Sequence, residues 1–118
     1  MITTAYILIG FVALLHLYFL VLEMFFWDKP LGLKTFGHTR EFAKASRVLA
    51  MNQGLYNGFL AAGLVWGLIG GPESSSISIF FLVCIIIAGI FGGITASRKI
   101  ILFQAVPASL ALLFVLIA

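Results

Sequence analysis

The sequence predicts an all-α protein: a four-transmembrane-helix bundle that takes up nearly the whole chain. Three observations predict it. Hydrophobic residues make up 63% of the 118 positions and charged residues only 9%. Soluble domains carry roughly 25% charged residues, so polar groups are too scarce here to cover a surface facing water. Mean hydropathy is +1.20. The apolar residues fall in four continuous runs, each near the ~20 residues that cross a ~30 Å hydrocarbon layer. Finally, the seven cations are confined to two short stretches. At this length a single domain, residues 1–118, is expected.

The first helix is expected over about residues 3–27. Its start, MITTAYILIG, has no basic residue. Its apolar stretch outruns the roughly 7–15 residues of a secretion-signal core and lacks a clear small-residue cleavage site. It therefore reads as a retained helix. Pro30 and Gly32 break it, and Asp28 to Ser46 forms a polar, basic loop. The end of that loop, Thr39 to Ser46, could extend the second helix into water. The second helix is expected over about residues 48–69, followed by a turn at Gly70-Gly71-Pro72-Glu73-Ser74-Ser75-Ser76. The third is expected over about residues 77–95, a short hairpin at Ser97-Arg98-Lys99 follows, and the fourth covers about residues 100–117. Pro107 should kink that last helix. The runs are too long and continuous for the alternating strands of a barrel.

Charge placement sets the orientation. Lys29, Lys34, Arg40, Lys44 and Arg47 lie in one stretch, Arg98 and Lys99 in the other. Alternating helices put both on the same side, which the positive-inside rule assigns to the cytoplasm. The N-terminus, the Gly70–Ser76 turn and the C-terminus then lie outside. The expected location is the inner, cytoplasmic membrane, with several passes, and the expected partner is the lipid bilayer. Topology accounts for the basic pI of 9.4, so no nucleic acid is expected.

Small residues suggest where helices meet. Gly54 and Gly58, Gly63 and Gly67, and Gly89 and Gly93 are spaced GxxxG, which lets backbones approach closely. Packing within the bundle and a homo-oligomer interface both fit this spacing. The single cysteine, Cys84, excludes an intramolecular disulfide and reads as a small packed hydrophobe.

Ionisable groups inside a span are functional suspects by default. His16 and Glu23 are seven residues apart, so two helical turns put them on one face, ~10 Å apart. Trp27 continues that stripe. The second helix carries Asn52, Gln53, Tyr56 and Asn57 on one arc, and the fourth adds Gln104. Their depths all fall in the cytoplasmic part of the membrane, with His16 nearer the middle, so a bundle could gather them into one pocket. On this reading His16 and Glu23 are the candidate catalytic acid and base. Trp27, Asn52, Gln53, Tyr56, Asn57 and Gln104 would hold a small apolar or amphipathic ligand. The alternative is that they are interhelical hydrogen bonds, with Glu23 paired to Arg47. His16 and Glu23 lack a third strong ligand, so no metal is expected. No P-loop, dinucleotide fingerprint or HExxH occurs, so no cofactor is expected. His38 reads as a solvated loop residue, and the aromatics of the first helix as lipid-facing anchors.

The run from Ala50 to Leu64, AMNQGLYNGFLAAGL, followed by Trp66-Gly67, resembles the signature of a family of small bacterial integral membrane proteins catalogued as a domain of unknown function. His16-Leu17-Tyr18, Leu22-Glu23-Met24-Phe25, and Gln104 with Pro107 extend the resemblance over almost the whole chain. It implies a four-helix membrane protein and little about activity. In layout the chain is similar to the membrane-bound glutathione and eicosanoid enzyme superfamily, through Arg47, Asn52 and Tyr56-Asn57. The acidic residue that superfamily carries in this helix is absent, since Gln53 and Asn57 are neutral. Three functions are compatible with these features. They are binding or transformation of a small molecule, proton-coupled transport through Glu23, and an accessory role packed against another membrane protein.

Overall fold

A computed structural model describes all residues 1–118 and is all-α. In chain order the elements are α1 (Ile2–Phe25), α2 (Pro30–Phe36), α3 (Arg40–Ile69), a 3-10 turn (Gly71–Glu73), α4 (Ser74–Thr95), a π-turn (Ile101–Ala105) and α5 (Val106–Ile117).

α1 is apolar all round, which suits a helix surrounded by apolar matter. It buries Ala5, Ile9, Val12 and His16 at a four-three spacing and exposes Ile7, Leu14 and Phe25 on its other sides. α1 and the stretch Gly71–Thr95 are the two helical segments long and apolar enough to cross a membrane. α3 is 30 residues long, ~45 Å at 1.5 Å per residue, but Asn52, Gln53, Asn57 and its charged first turns dilute its apolar character. The last apolar stretch, Ile101–Ile117, is shorter. Of the four expected spans, length and composition alone therefore support two.

The loop expected between Asp28 and Ser46 holds a helix instead. Pro30 starts α2 at a position where a missing N–H costs nothing. Gly37 ends it in the left-handed region, φ 66°, with its N–H donating to the Leu33 carbonyl. α3 then begins at Arg40, earlier than Val48, because Thr39 caps it. The Thr39 Oγ1 accepts the Phe42 N–H at 3.1 Å, which satisfies one of the open donors of the first turn.

The chain divides into two compact units, residues 1–15 with 60–118, and residues 16–59. The first unit has an apolar core of Ile9, Val12, Ala13, Leu64, Leu82, Ile85, Ala108 and Ala111. Its glycines are packing sites. Gly63 lies against the Phe81 ring, Gly67 against Ser78, and Gly89 and Gly93 against the π-turn at Ala105 and Ile101. At that turn the Val106 N–H reaches back to the Ile101 carbonyl. Pro107 explains it: a proline ring clashes with the carbonyl four residues earlier, and one widened turn relieves the clash. The kink expected at Pro107 thus takes the form of a π-turn just before it.

The second unit is built from the end of α1, α2 and the first two-thirds of α3. Leu22, Ala43, Ala50 and Asn57 are its buried side chains along with His16. Gly54 and Gly58 sit under Leu20, Glu23 and Met24. All the GxxxG glycines are therefore used within the chain.

Candidate functional site

The polar residues of the second unit separate into an inward group and an outward one. Among the buried positions of α3, Ala43, Ala50, Gly54, Asn57, Ala61 and Leu64 recur at intervals of three, four or seven, which keeps one face turned inward. Asn57 lies on that seam and is 4% exposed. Its Nδ2 donates to Glu23 Oε1 at 2.5 Å, joining α3 to α1 across 34 residues of sequence. A β-carbon at Gly54 would lie 2.6 Å from Met24 Cγ and 3.2 Å from both Glu23 Cβ and the Leu20 carbonyl oxygen. The glycine is what lets the carboxylate come this close. His16, two turns earlier, is fully buried, and its ring meets Phe19 edge-on with centroids 5.4 Å apart.

Beyond Glu23 the unit is closed by an aromatic cluster. The Trp27 indole Nε1 donates to Ser46 Oγ at 3.0 Å, and that hydroxyl donates to the Phe42 carbonyl at 2.7 Å. The Trp27 ring lies 4.8 Å from Phe36 and 4.4 Å from His38, and Phe36 stacks on His38 with 3° between planes. His38 Nε2 also approaches the Trp27 carbonyl at 3.3 Å. Gly32 lets α2 rest on this corner, since a β-carbon there would run into the carbonyls of Phe26 and Trp27.

Several expectations change. His38 is half-buried among aromatics rather than solvated. Arg47 pairs with Asp28, at 3.9 Å, and not with Glu23. Asn52, Gln53 and Tyr56 face outward and are exposed, so they do not join Glu23 and Asn57. The Asn52 Nδ2 donates to the Val48 carbonyl one turn back. Gln104 belongs to the first unit, where its β-carbon borders Gly89. Trp27 is held by Ser46 and serves the aromatic corner. Of the expected site, the structure joins Glu23 to Asn57, with His16 on the same face of α1. The small residues sharing a seam with Asn57 are the sequence signal that separates it from Asn52. Nothing comparable marks His38 or Ser46.

No three His, Cys, Asp or Glu side chains converge, and Cys84 is half-buried on α4. Two concavities open on the first unit. One of about 450 Å³ is lined by Ile101, Val106 and Leu110 among others, and one of about 280 Å³ by Trp66, Phe80 and Phe81. Both are apolar and touch none of the polar candidates.

The chain is similar to the uncharacterized protein YpaA of Lactococcus lactis subsp. lactis (strain IL1403). The two are 34% identical over 104 residues, which is 86% of this chain and 87% of that one. No solved structure matches it. A family described as protein of unknown function (DUF1304) matches residues 10–116, and the chain belongs to that family.

Proposed function

We propose that this is a multi-pass protein of the cytoplasmic membrane, with four spanning helices, both termini outside and both basic stretches in the cytoplasm. We propose further that its Glu23–Asn57 site receives the polar head of a small amphipathic molecule whose apolar body lies in lipid. Apolar exposure supports the first part. Leu14 is 68% exposed and Ile69 and Ile94 78%, among large apolar side chains exposed along every long helix, and apolar exposure on this scale favours contact with lipid or protein. α3 and the π-turn with α5 complete the four spans, and every Lys and Arg then falls on one side.

The observation that carries the second part is the Glu23–Asn57 hydrogen bond. A carboxylate offers about four acceptor sites, and Asn57 takes one. The remainder suits a cationic or hydrogen-bond-donating head group, with Asn57 fixing the orientation. If the ligand is transformed, Glu23 and His16 act as acid and base. The test is titration of a fluorescent alkylamine into the nanodisc-reconstituted protein. Saturable binding should weaken about tenfold or more in Glu23→Gln, the scale of one lost charge-assisted hydrogen bond. Equal affinity in Glu23→Gln and Asn57→Ala would sink the reading.

A second reading is proton-coupled transport. It is favoured by one fact: Glu23 is the lone acid within the four apolar segments, the others (Asp28, Glu41, Glu73) lying in or near the connections. Proteoliposomes under a proton gradient should then move a lipophilic cation, and Glu23→Gln should abolish the flux.

A further inference from the structure

We infer that a second copy of this chain packs against the outward face of α3, through hydrogen bonds formed by Asn52, Gln53 and Tyr56 across a two-fold axis. The inference rests on the membrane reading proposed above.

Three features lead to it. The first is position. The seam of α3 turns Asn57 inward. At ~100° per residue Asn52 points almost directly away from that seam, Tyr56 lies beside Asn52, and Gln53 lies further round, on the flank between Tyr56 and the seam. Asn52 and Gln53 are exposed, and Tyr56 is 52% exposed. The second is unused hydrogen-bonding capacity. Asn52 makes one bond, to the Val48 carbonyl. That leaves its other N–H and its oxygen, together with the Gln53 amide and the Tyr56 hydroxyl. The third is the surroundings. Val48 and Leu49 before this group and Phe59 after it are exposed apolar side chains. The amides therefore sit within an apolar stretch, on side chains too short to reach the head groups as Lys and Arg do.

In hydrocarbon each unsatisfied polar group costs free energy, so this face requires a cover. A second copy supplies it most simply. Amides carry donors and acceptors together, so the face is complementary to itself, and a two-fold axis sets the same patch of each copy against the other. The GxxxG glycines do not compete for this role, because their neighbours are side chains and backbone of the same chain.

The test is disulfide trapping in native membranes, in the Cys84→Ala background, with copper–phenanthroline as oxidant. Asn52→Cys and Gln53→Cys should yield a covalent dimer, and Leu14→Cys on α1 should not. Separately, the association constant measured by energy transfer between labelled copies in vesicles should fall about threefold for each hydrogen bond removed, the average for such bonds in a membrane. A two-fold interface uses each residue twice, so Gln53→Leu should weaken pairing about eightfold.

Three outcomes overturn the inference. Cross-linking equal at all positions would mean random collision. A cross-link at Asn52→Cys to a different protein would mean a foreign partner. A monomer whose introduced cysteine is shielded from a membrane-impermeant maleimide would mean lipid tolerates the amides. If instead that cysteine is labelled and the protein is monomeric, the membrane placement of α3 has failed, and this pairing fails with it. The maleimide result thus separates the two failures.

Discussion

Replacing Asn57 by Leu, Glu23 by Leu, and both together tests whether the α1–α3 pairing is held by one polar contact. Asn57 is 4% exposed and Glu23 half-buried, so either single change strands the other group away from water. Leaving a buried polar group unmatched costs about 1–3 kcal/mol. Side-chain hydrogen bonds between membrane helices average about 0.6 kcal/mol and reach about 1.7. Leu keeps the branching and heavy-atom count of Asn, and each single variant should lose about 2 kcal/mol, chiefly from the polar group left unmatched. The double variant leaves nothing stranded and should lie near wild type. The expected coupling, the double variant's change less those of the two single variants, is thus about 4 kcal/mol in size, more than the bond alone because each single change strands a polar group. Equilibrium unfolding in mixed detergent, followed by far-ultraviolet circular dichroism, measures all four proteins. Additive losses, within about 0.3–0.5 kcal/mol, would refute the claim that these residues act on each other.

Gly54→Ala should cost about 1–3 kcal/mol by overpacking, because the added carbon meets the Leu20 carbonyl and the Glu23 β-carbon. Gly58→Ala should be near neutral in the same unfolding assay. It meets only the movable end of Leu20, and Ala gains about 0.5–1 kcal/mol over Gly in a helix. Gly37→Ala should strain the left-handed end of α2 by about 1–2 kcal/mol, seen as faster amide exchange at Leu33 to His38. Asp28→Asn should change stability by less than about 1 kcal/mol, vanishing at high salt, since Arg47 is largely exposed and such pairs contribute little.

The helix boundaries that the sequence marks with chemistry were legible. Gly70-Gly71-Pro72 and Ser97-Arg98-Lys99 do separate helices, and the turn at Gly71 uses a positive φ that glycine allows. α2 was not legible, because seven residues with a proline and a glycine carry too little periodicity to compete with a loop. It forms because it can rest on Phe26 and Trp27, which is tertiary information. The π-turn is similar: Pro107 is visible in sequence, but the close packing of that turn on Gly89 and Gly93 is a contact between helices that one segment's sequence does not show. For the site, seven-residue spacing correctly placed His16 and Glu23 on one face. Treating the α3 polar residues as one group missed that the small residues at 50, 54 and 61 define an inner face holding Asn57 alone.

The junction of α4 with the π-turn also bears on the order of assembly. Only Ala96–Ile100 separates these elements. The connection is already bonded, with Ala96 and Ser97 N–H groups on the Gly92 carbonyl and the Ile100 N–H on the Ser97 carbonyl. Contacts close in sequence form with little loop entropy and tend to lead folding. The Glu23–Asn57 bond instead closes a 34-residue separation. A nucleus built from α4, the π-turn and α5 should therefore form first, with the carboxylate–amide contact arriving late. Lesions at Gly89 would then slow folding, whereas those at Asn57 would chiefly hasten unfolding.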